Sequence, residues 1–225
     1  EVNITTVEDP IEMVDPRFMQ VQVQRKIEVT FATALRSILR QDPDIIMVGE
    51  IRDGETAQMA VQAALTGHLV LSTVHPRDAA GAVTRLAELG VERFLLSSVL
   101  RGVLAQRLLR RICSHCTSEG TLTPDQVGAL GIKVPVERRE RLKVRWGEGC
   151  VECRHTGLYG RTGVFELLDV GRRVRELIKK GEDAAEICRG ARVEGMESLR
   201  ESALRRLAEG LTTYEEVVRA TSDMD

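Results

Sequence analysis

Aromatic residues are scarce in this 225-residue chain, where four Phe, two Tyr and one Trp make up 3% of the total. So few rings cannot build the stacking platforms on which single-stranded nucleic acids are held. An excess of one charge is lacking too. The 32 Lys and Arg face 34 Asp and Glu, for a net charge of -2, whereas phosphate-backbone affinity comes from clustered, uncompensated cations. Nucleic acid is therefore not an expected partner. No apolar run reaches the roughly 20 residues that cross a bilayer. The opening Glu1-Val2-Asn3 also lacks the basic and apolar regions of a secretory signal. The expectation is a cytoplasmic protein without a membrane span of its own. Low-complexity tracts and internal repeats are missing as well, which sets solenoids aside.

What is present is enough for one sizeable core or two smaller ones, at 43% hydrophobic and 29% charged residues. Val2 to Val7 alternates as a strand and runs into Glu8-Asp9-Pro10, where proline discourages continuation. Met19 to Gln24 alternates at period two, with one buried and one wet face. Thr30 can cap a helix whose Phe31, Ala34, Leu35, Ile38 and Leu39 share a stripe before Asp42-Pro43 breaks it. Ile45 to Val48 is a continuous apolar run, the mark of a strand covered on both faces in a parallel sheet. A helix from Gly54 to Leu65, closed by Gly67, leads to a strand over Leu69 to Val74. This alternation predicts a βαβ sheet. Asp78 can cap a further helix that Gly90 stops, and Phe94 to Ile112 reads as one longer helix ending in Arg107, Arg110 and Arg111. From Val170 to Asp225 the spacing is helical, punctuated by Gly181, Gly190, Gly195 and Gly210.

Open α/β sheets bind ligands at the carboxyl ends of their strands. Glu8 and Asp9 follow the first strand, Glu50 the central one and His75 the next, so polar groups converge on one edge. Any one of them alone is as readily a loop residue. His68 and His75 flank a single strand, but seven residues at about 3.3 Å each place them roughly 23 Å apart on opposite faces. They cannot share an ion while that strand is regular. His75 is the better candidate for meeting a ligand, and His68 for a structural or partner-facing place.

The cysteines form a second centre. Cys113 and Cys116 make one C-x2-C pair and Cys150 and Cys153 another, with 33 residues between the pairs. That is the two-knuckle spacing of a structural four-Cys zinc site, closed to catalysis because no coordination position stays open. The insert around them is short and densely charged, with Glu137 to Arg145 mixed in sign. It has little apolar area to bury, so a metal contributing on the order of 10 kcal/mol would serve as its core.

Several stretches together resemble the secretion ATPases that power type II secretion and type IV pilus assembly. Thr6-Val7-Glu8-Asp9-Pro10-Ile11-Glu12 is similar to their aspartate box, Asp42 to Asp53 to their atypical Walker B, and Gly67 to His75 to their histidine box. The likeness continues through Ala105-Gln106-Arg107-Leu108, Tyr159 to Leu167, Gly195 to Arg200 and Thr213 to Val217, and so covers essentially the whole chain. The resemblance implies a RecA-like P-loop NTPase core that works as a homo-hexamer. It also implies an inner-membrane platform and cytoplasmic-ring proteins of the secretion or pilus machine as partners. ATP, Mg²⁺ and Zn²⁺ are the implied cofactors. By motif, Glu50 would polarise the attacking water beside Arg52. Glu8 and Glu12 would help hold Mg²⁺, water or both, with Asp9 next to them. His75 would contact the γ-phosphate, and His68 would belong to the same nucleotide-binding box.

Two departures stand out. Gly49 precedes Glu50 where the common Walker B has Asp, and Pro76-Arg77 follows His75 where the family has a small polar pair. No Gly-Lys dipeptide occurs anywhere, so the loop whose backbone N–H groups and Lys surround phosphates is not in these residues. The resemblance places that loop just before the aspartate box, upstream of Glu1. The expected organisation is an α/β ATPase core over 1–112, a zinc-binding subdomain over 113–153 and a helical region over 154–225. The expected function is ATP hydrolysis for export or pilus assembly. The alternative is a non-catalytic docking fragment. The four-Cys motif, typical of the assembly and secretion members of the family, weighs against pilus retraction.

Overall fold

The alternating strand and helix patterns form an all-parallel, four-stranded sheet in the computed structural model, which describes residues 2–132 and 142–221. Residues 137–141 of the mixed-charge stretch lie outside them. The strands β1 (Ile4–Glu8), β2 (Met19–Gln22), β3 (Ile45–Val48) and β4 (Leu69–Ser72) take the order β2-β1-β3-β4. Val7, Ile46 and Val48 are fully buried, so the middle of the sheet is covered as the apolar run of β3 implies. β4 differs. It stands at an edge, and Leu69 and Leu71 are half exposed.

Local chemistry sets the helices. Thr30 opens α1 (Phe31–Ile38) through a capping box with Thr33, and Phe31, Ala34, Leu35 and Ile38 form its buried stripe. Asp53 caps α2 (Gly54–Leu65), its Oδ1 accepting from Thr56 N at 2.8 Å. Asp78 does the same for α3 (Ala79–Glu88) through Gly81 N at 2.7 Å, and Gly90 follows at a φ of 90°.

The longer helix expected over Phe94 to Ile112 is not formed. A short α4 (Arg93–Val99) ends where Leu100 turns extended, with ψ 126°, and Gly102–Ile112 is the strand β5. The apolar residues there keep a helical spacing but fall on both faces of a strand, so that Leu104 and Leu108 stand exposed while Leu109 is buried. A partner far along the chain overrides that spacing, since β5 pairs with β8 (Leu158–Asp169). A second two-stranded sheet, β6 (Thr117–Thr121) with β7 (Lys143–Gly147), is antiparallel, and α5 (Pro124–Ala129) follows β6. The helical region expected over 154–225 begins only after the strand β8, and from there it consists of α6 (Arg172–Lys180), α7 (Ala184–Val193), α8 (Leu199–Ala208) and α9 (Tyr214–Thr221). Gly190 is not punctuation. It lies within α7, where a Cβ would come within 2.3 Å of Leu177 Cδ1, so it admits α6 to close packing.

The chain divides into two compact units, Glu1–Val103 with Leu168–Glu194, and Leu104–Leu167 with Gly195–Asp225. This grouping cuts within β5 and β8, whereas the sequence division falls at 112/113 and 153/154. The first unit holds the parallel sheet. The second has its own apolar cluster, which includes Leu109, Leu130, Val164, Leu199 and Val217.

An ion triad fixes α9 in the second unit. Glu216 is 2% exposed and accepts from Arg110 N and Nε at 2.8 and 2.9 Å and from Arg219 at 2.8 and 3.1 Å. Burial alone would raise its carboxyl, but the Arg219 and Arg110 hydrogen bonds outweigh that and hold it down at about 2, below its ordinary 4.5. A depressed pKa contributes stability that is present above about pH 4.5 and lost as the pH falls towards about 2. Glu216→Gln should cost about 2 kcal/mol near neutrality. It should also flatten the fall in melting temperature across that acid window. An unchanged acid profile in the variant would refute the assignment.

Candidate functional site

Register brings the polar strand ends to one level. Val7 pairs with Val48 and Val48 with Ser72, so Glu8, Gly49 and Thr73 emerge together at the carboxyl edge. The bonding continues past the strands: Gly49 N donates to Val7 O at 2.8 Å and Ile51 N to Thr73 O at 2.9 Å. Thr73 Oγ1 donates to Gly49 O at 2.6 Å. Glu50 is thus held between two fastened peptides. Gly49 suits this close approach, because a Cβ there would stand 3.1 Å from Val7 O and 3.5 Å from Glu8 Cα. An Asp at this place would crowd the neighbouring strand.

The Glu50 side chain is 12% exposed, and its Oε2 accepts a hydrogen bond from Arg52 Nε and lies 3.4 Å from His75 Nε2. The Arg52 guanidinium holds the carboxyl below its ordinary range, against partial burial, and His75 adds to the effect. The result is a carboxylate that stays ionised at neutral pH, with a guanidinium and an imidazole, both mostly exposed, at one of its oxygens.

Glu8 shares the edge. Its Oε1 accepts from Thr6 Oγ1 at 2.6 Å and from Gln20 Nε2 at 3.0 Å. Asp9, next in the chain, is exposed and pairs with Arg25 at 3.7 Å, and Glu12 is exposed in the loop between β1 and β2. His68 lies at the other end of β4, where its Nδ1 is 2.9 Å from Ala63 O and 3.1 Å from Thr66 Oγ1 in the last turn of α2. The edge therefore gathers Glu8, Glu50, Arg52 and His75, and leaves His68 apart. Sequence reasoning missed Thr6, Gln20 and Thr73. Thr6 was within reach, since residues i and i+2 of a strand share a face. Gln20 was not, because a non-local pairing of β2 with β1 brings it there.

The four cysteines meet in the second unit, with all four Sγ atoms within 4.8 Å of one another. Cys113–Cys150 and Cys116–Cys153 are 3.8 Å apart and Cys150–Cys153 3.7 Å, and none is disulfide-bonded. A tetrahedron of sulfurs about 2.3 Å from a central ion has edges of about 3.8 Å. Backbone N–H groups face the sulfurs, from Gly149 to Cys116, and from Cys150 and Gly157 to Cys153, at 3.1–3.3 Å. Without an ion, the Cys150 and Gly157 N–H groups draw the Cys153 thiol down to about 6. Burial, helped by the neighbouring thiols, pushes Cys116 up to about 12. The four sulfurs are spaced so that they could hold one metal ion.

A family model described as "Type II/IV secretion system protein" matches residues 1–219. The type II secretion system protein HxcR of Pseudomonas aeruginosa is 50% identical over 221 residues, which cover 98% of this chain and 43% of that protein. The type IV pilus assembly ATPase PilB of Thermus thermophilus is 50% identical over 219 residues, 97% of this chain and 24% of that protein. The chain thus spans less than half the length of these relatives. Among solved structures, the pilus retraction motor PilT with bound ADP superposes with a TM-score of 0.67 at 28% identity, covering 99% of this chain and 53% of that one. The likeness extends to an ATPase fold throughout.

Elemental analysis of purified protein is expected to find about one thiophilic divalent ion per chain, and chelation should lower the melting temperature. Because the ligands must lose protons, ion affinity should fall as the pH falls. A metal-free protein with an unchanged melt on chelation would contradict the tetrahedral reading of the sulfurs.

Proposed function

The chain belongs to the type II/IV secretion system protein family, and from that premise we propose that it supplies the hydrolytic part of an ATPase motor powering type II secretion or type IV pilus assembly. The observation that carries the proposal is the placement of Glu50. An ionised carboxylate at the carboxyl edge of a parallel sheet, held by its own backbone and by Arg52, is the group that orients and polarises a water for attack on a γ-phosphate. Glu50 takes the water's proton as it attacks, while Arg52 keeps the carboxylate charged and aimed. His75, at the same oxygen, contacts the γ-phosphate. A docking-only role leaves this arrangement without a purpose, and the names of the relatives, secretion proteins and a pilus assembly ATPase, favour the motor.

Glu8 fits the Mg²⁺ side of the site, since a hard cation takes carboxylate oxygens, with Glu12 and Asp9 in the adjoining loop. Mg²⁺ when bound would neutralise charge on the phosphates. The phosphate cradle does not come from these 225 residues, which contain no Gly-Lys pair. The four thiols fit Zn²⁺ as a closed structural site over Cys113, Cys116, Cys150 and Cys153, and the ion would add to the apolar cluster that Leu122, Val127 and Leu130 supply there. Among the described residues no helix is long and apolar enough to cross a membrane. The proposed setting is a homo-hexamer on the cytoplasmic face of the inner membrane, docked on the platform and ring proteins of the machine.

In the full-length protein, Glu50→Gln should lower kcat for ATP hydrolysis by roughly 100- to 1000-fold and leave nucleotide binding in place. Undiminished hydrolysis would overturn the assignment. Arg52→Ala should move the acidic limb of the kcat–pH profile upwards, because Glu50 then loses the partner that keeps its pKa low. A limb that stays put would show that Arg52 acts elsewhere.

A further inference from the structure

Gln20 in β2 has its amide satisfied on every side at the margin of the site. Its Nε2 donates to Glu8 Oε1 and to Met13 O, both at 3.0 Å, and its Oε1 accepts from Asp15 N at 2.7 Å. These partners fix which way the amide points. A carboxylate and a carbonyl only accept and a peptide N–H only donates, so the flipped amide would set oxygen against oxygen. Thr6, buried in β1, donates to the same Glu8 oxygen at 2.6 Å. Thr6 and Gln20 are register partners in the parallel pairing of β1 with β2, so both donors reach Glu8 from the same level of the sheet.

With two donors on Oε1, the other oxygen of Glu8 takes no hydrogen bond from the described residues. A carboxylate on a flexible stem, which would otherwise sample several rotamers, is held in one orientation with one oxygen left over. We infer that Gln20 and Thr6 are positioning residues that hold Oε1 of Glu8 and so present Oε2 to the divalent cation of the nucleotide. The inference rests on the reading of Glu8 as a metal-side carboxylate. It extends that reading to the surface as well, because the amide that aims Glu8 also ties down Met13 and Asp15 of the loop between β1 and β2. One side chain sets both the path of that loop and the direction of the carboxylate.

The test uses full-length protein saturated with ADP and titrated with Mn²⁺ as a paramagnetic stand-in for Mg²⁺, free ion being read by electron paramagnetic resonance. Removing a residue that orients a metal ligand costs roughly 10- to 100-fold in metal affinity. Gln20→Ala, the near-isosteric Gln20→Met and Thr6→Val are expected to raise the Mn²⁺ dissociation constant by that factor, with kcat falling alongside. Thr6→Ser, which keeps the hydroxyl, should restore both. A purely structural role would lower the melting temperature and leave Mn²⁺ affinity untouched. Wild-type Mn²⁺ affinity in folded Gln20→Met and Thr6→Val therefore overturns the inference, even if Gln20→Ala fails to fold. Glu8→Gln separates the two levels of the claim. If it binds Mn²⁺ as the wild type does, the metal-side reading of Glu8 falls. If it binds weakly while the Gln20 and Thr6 variants do not, only the positioning inference falls.

Discussion

The parallel register of β1, β3 and β4 is the constraint on which the rest of the first unit depends. Side chains alternate with a period of two, so a slip of one residue would turn the buried set of a strand outward. Ile46 and Val48, both fully buried, anchor β3 against such a slip. The same anchoring delivers Glu8, Gly49 and Thr73 to one level. The chemistry at the edge is thus a by-product of apolar burial in the middle of the sheet. Glu50 needs no loop of its own to be placed, because the ladder bonds on either side of it extend beyond the strand.

The second unit solves a different problem. Its strands are charged and partly exposed, and its apolar cluster is shared among β5, α5, β8 and the last two helices. Polar devices supplement that core. Four thiols converge to tetrahedral spacing, and a buried carboxylate gathers two half-exposed arginines. Both bring like or unlike charges out of water, which is favourable only when partners are complete. For Glu216 the partners are present in the chain. For the thiols the chain supplies the four sulfurs at a spacing that could take an ion, and an ion bound there would make this part of the fold conditional in a way that the parallel sheet is not.

Much of this was readable from the residues, and the failures share one cause. Thr30 and Asp78 open their helices as their side chains suggest, and Gly54–Leu65 coincides with its expected bounds, because caps and short-range periodicity are local. The separation of His68 from His75 followed from strand geometry alone. Long-range pairing was not readable. The apolar residues of β5 keep a helical spacing, and pairing with β8, far along the chain, overrides it. Gly190 looked like a stop and is a packing contact with Leu177. In the site, Glu50 and His75 were visible as strand ends. Gln20 was not, since its place depends on which strands are neighbours.

The contrast in exposure around Glu50 also separates timescales. Its carboxylate, at 12% exposed, is seated on fastened peptides, whereas Arg52 and His75 are 62% and 76% exposed. Exposed side chains change rotamer in picoseconds to nanoseconds, far faster than any enzymatic turnover. The Glu50 carboxylate is held in place by its backbone, so rapid rearrangement at this edge falls to the solvent-facing parts of Arg52 and His75.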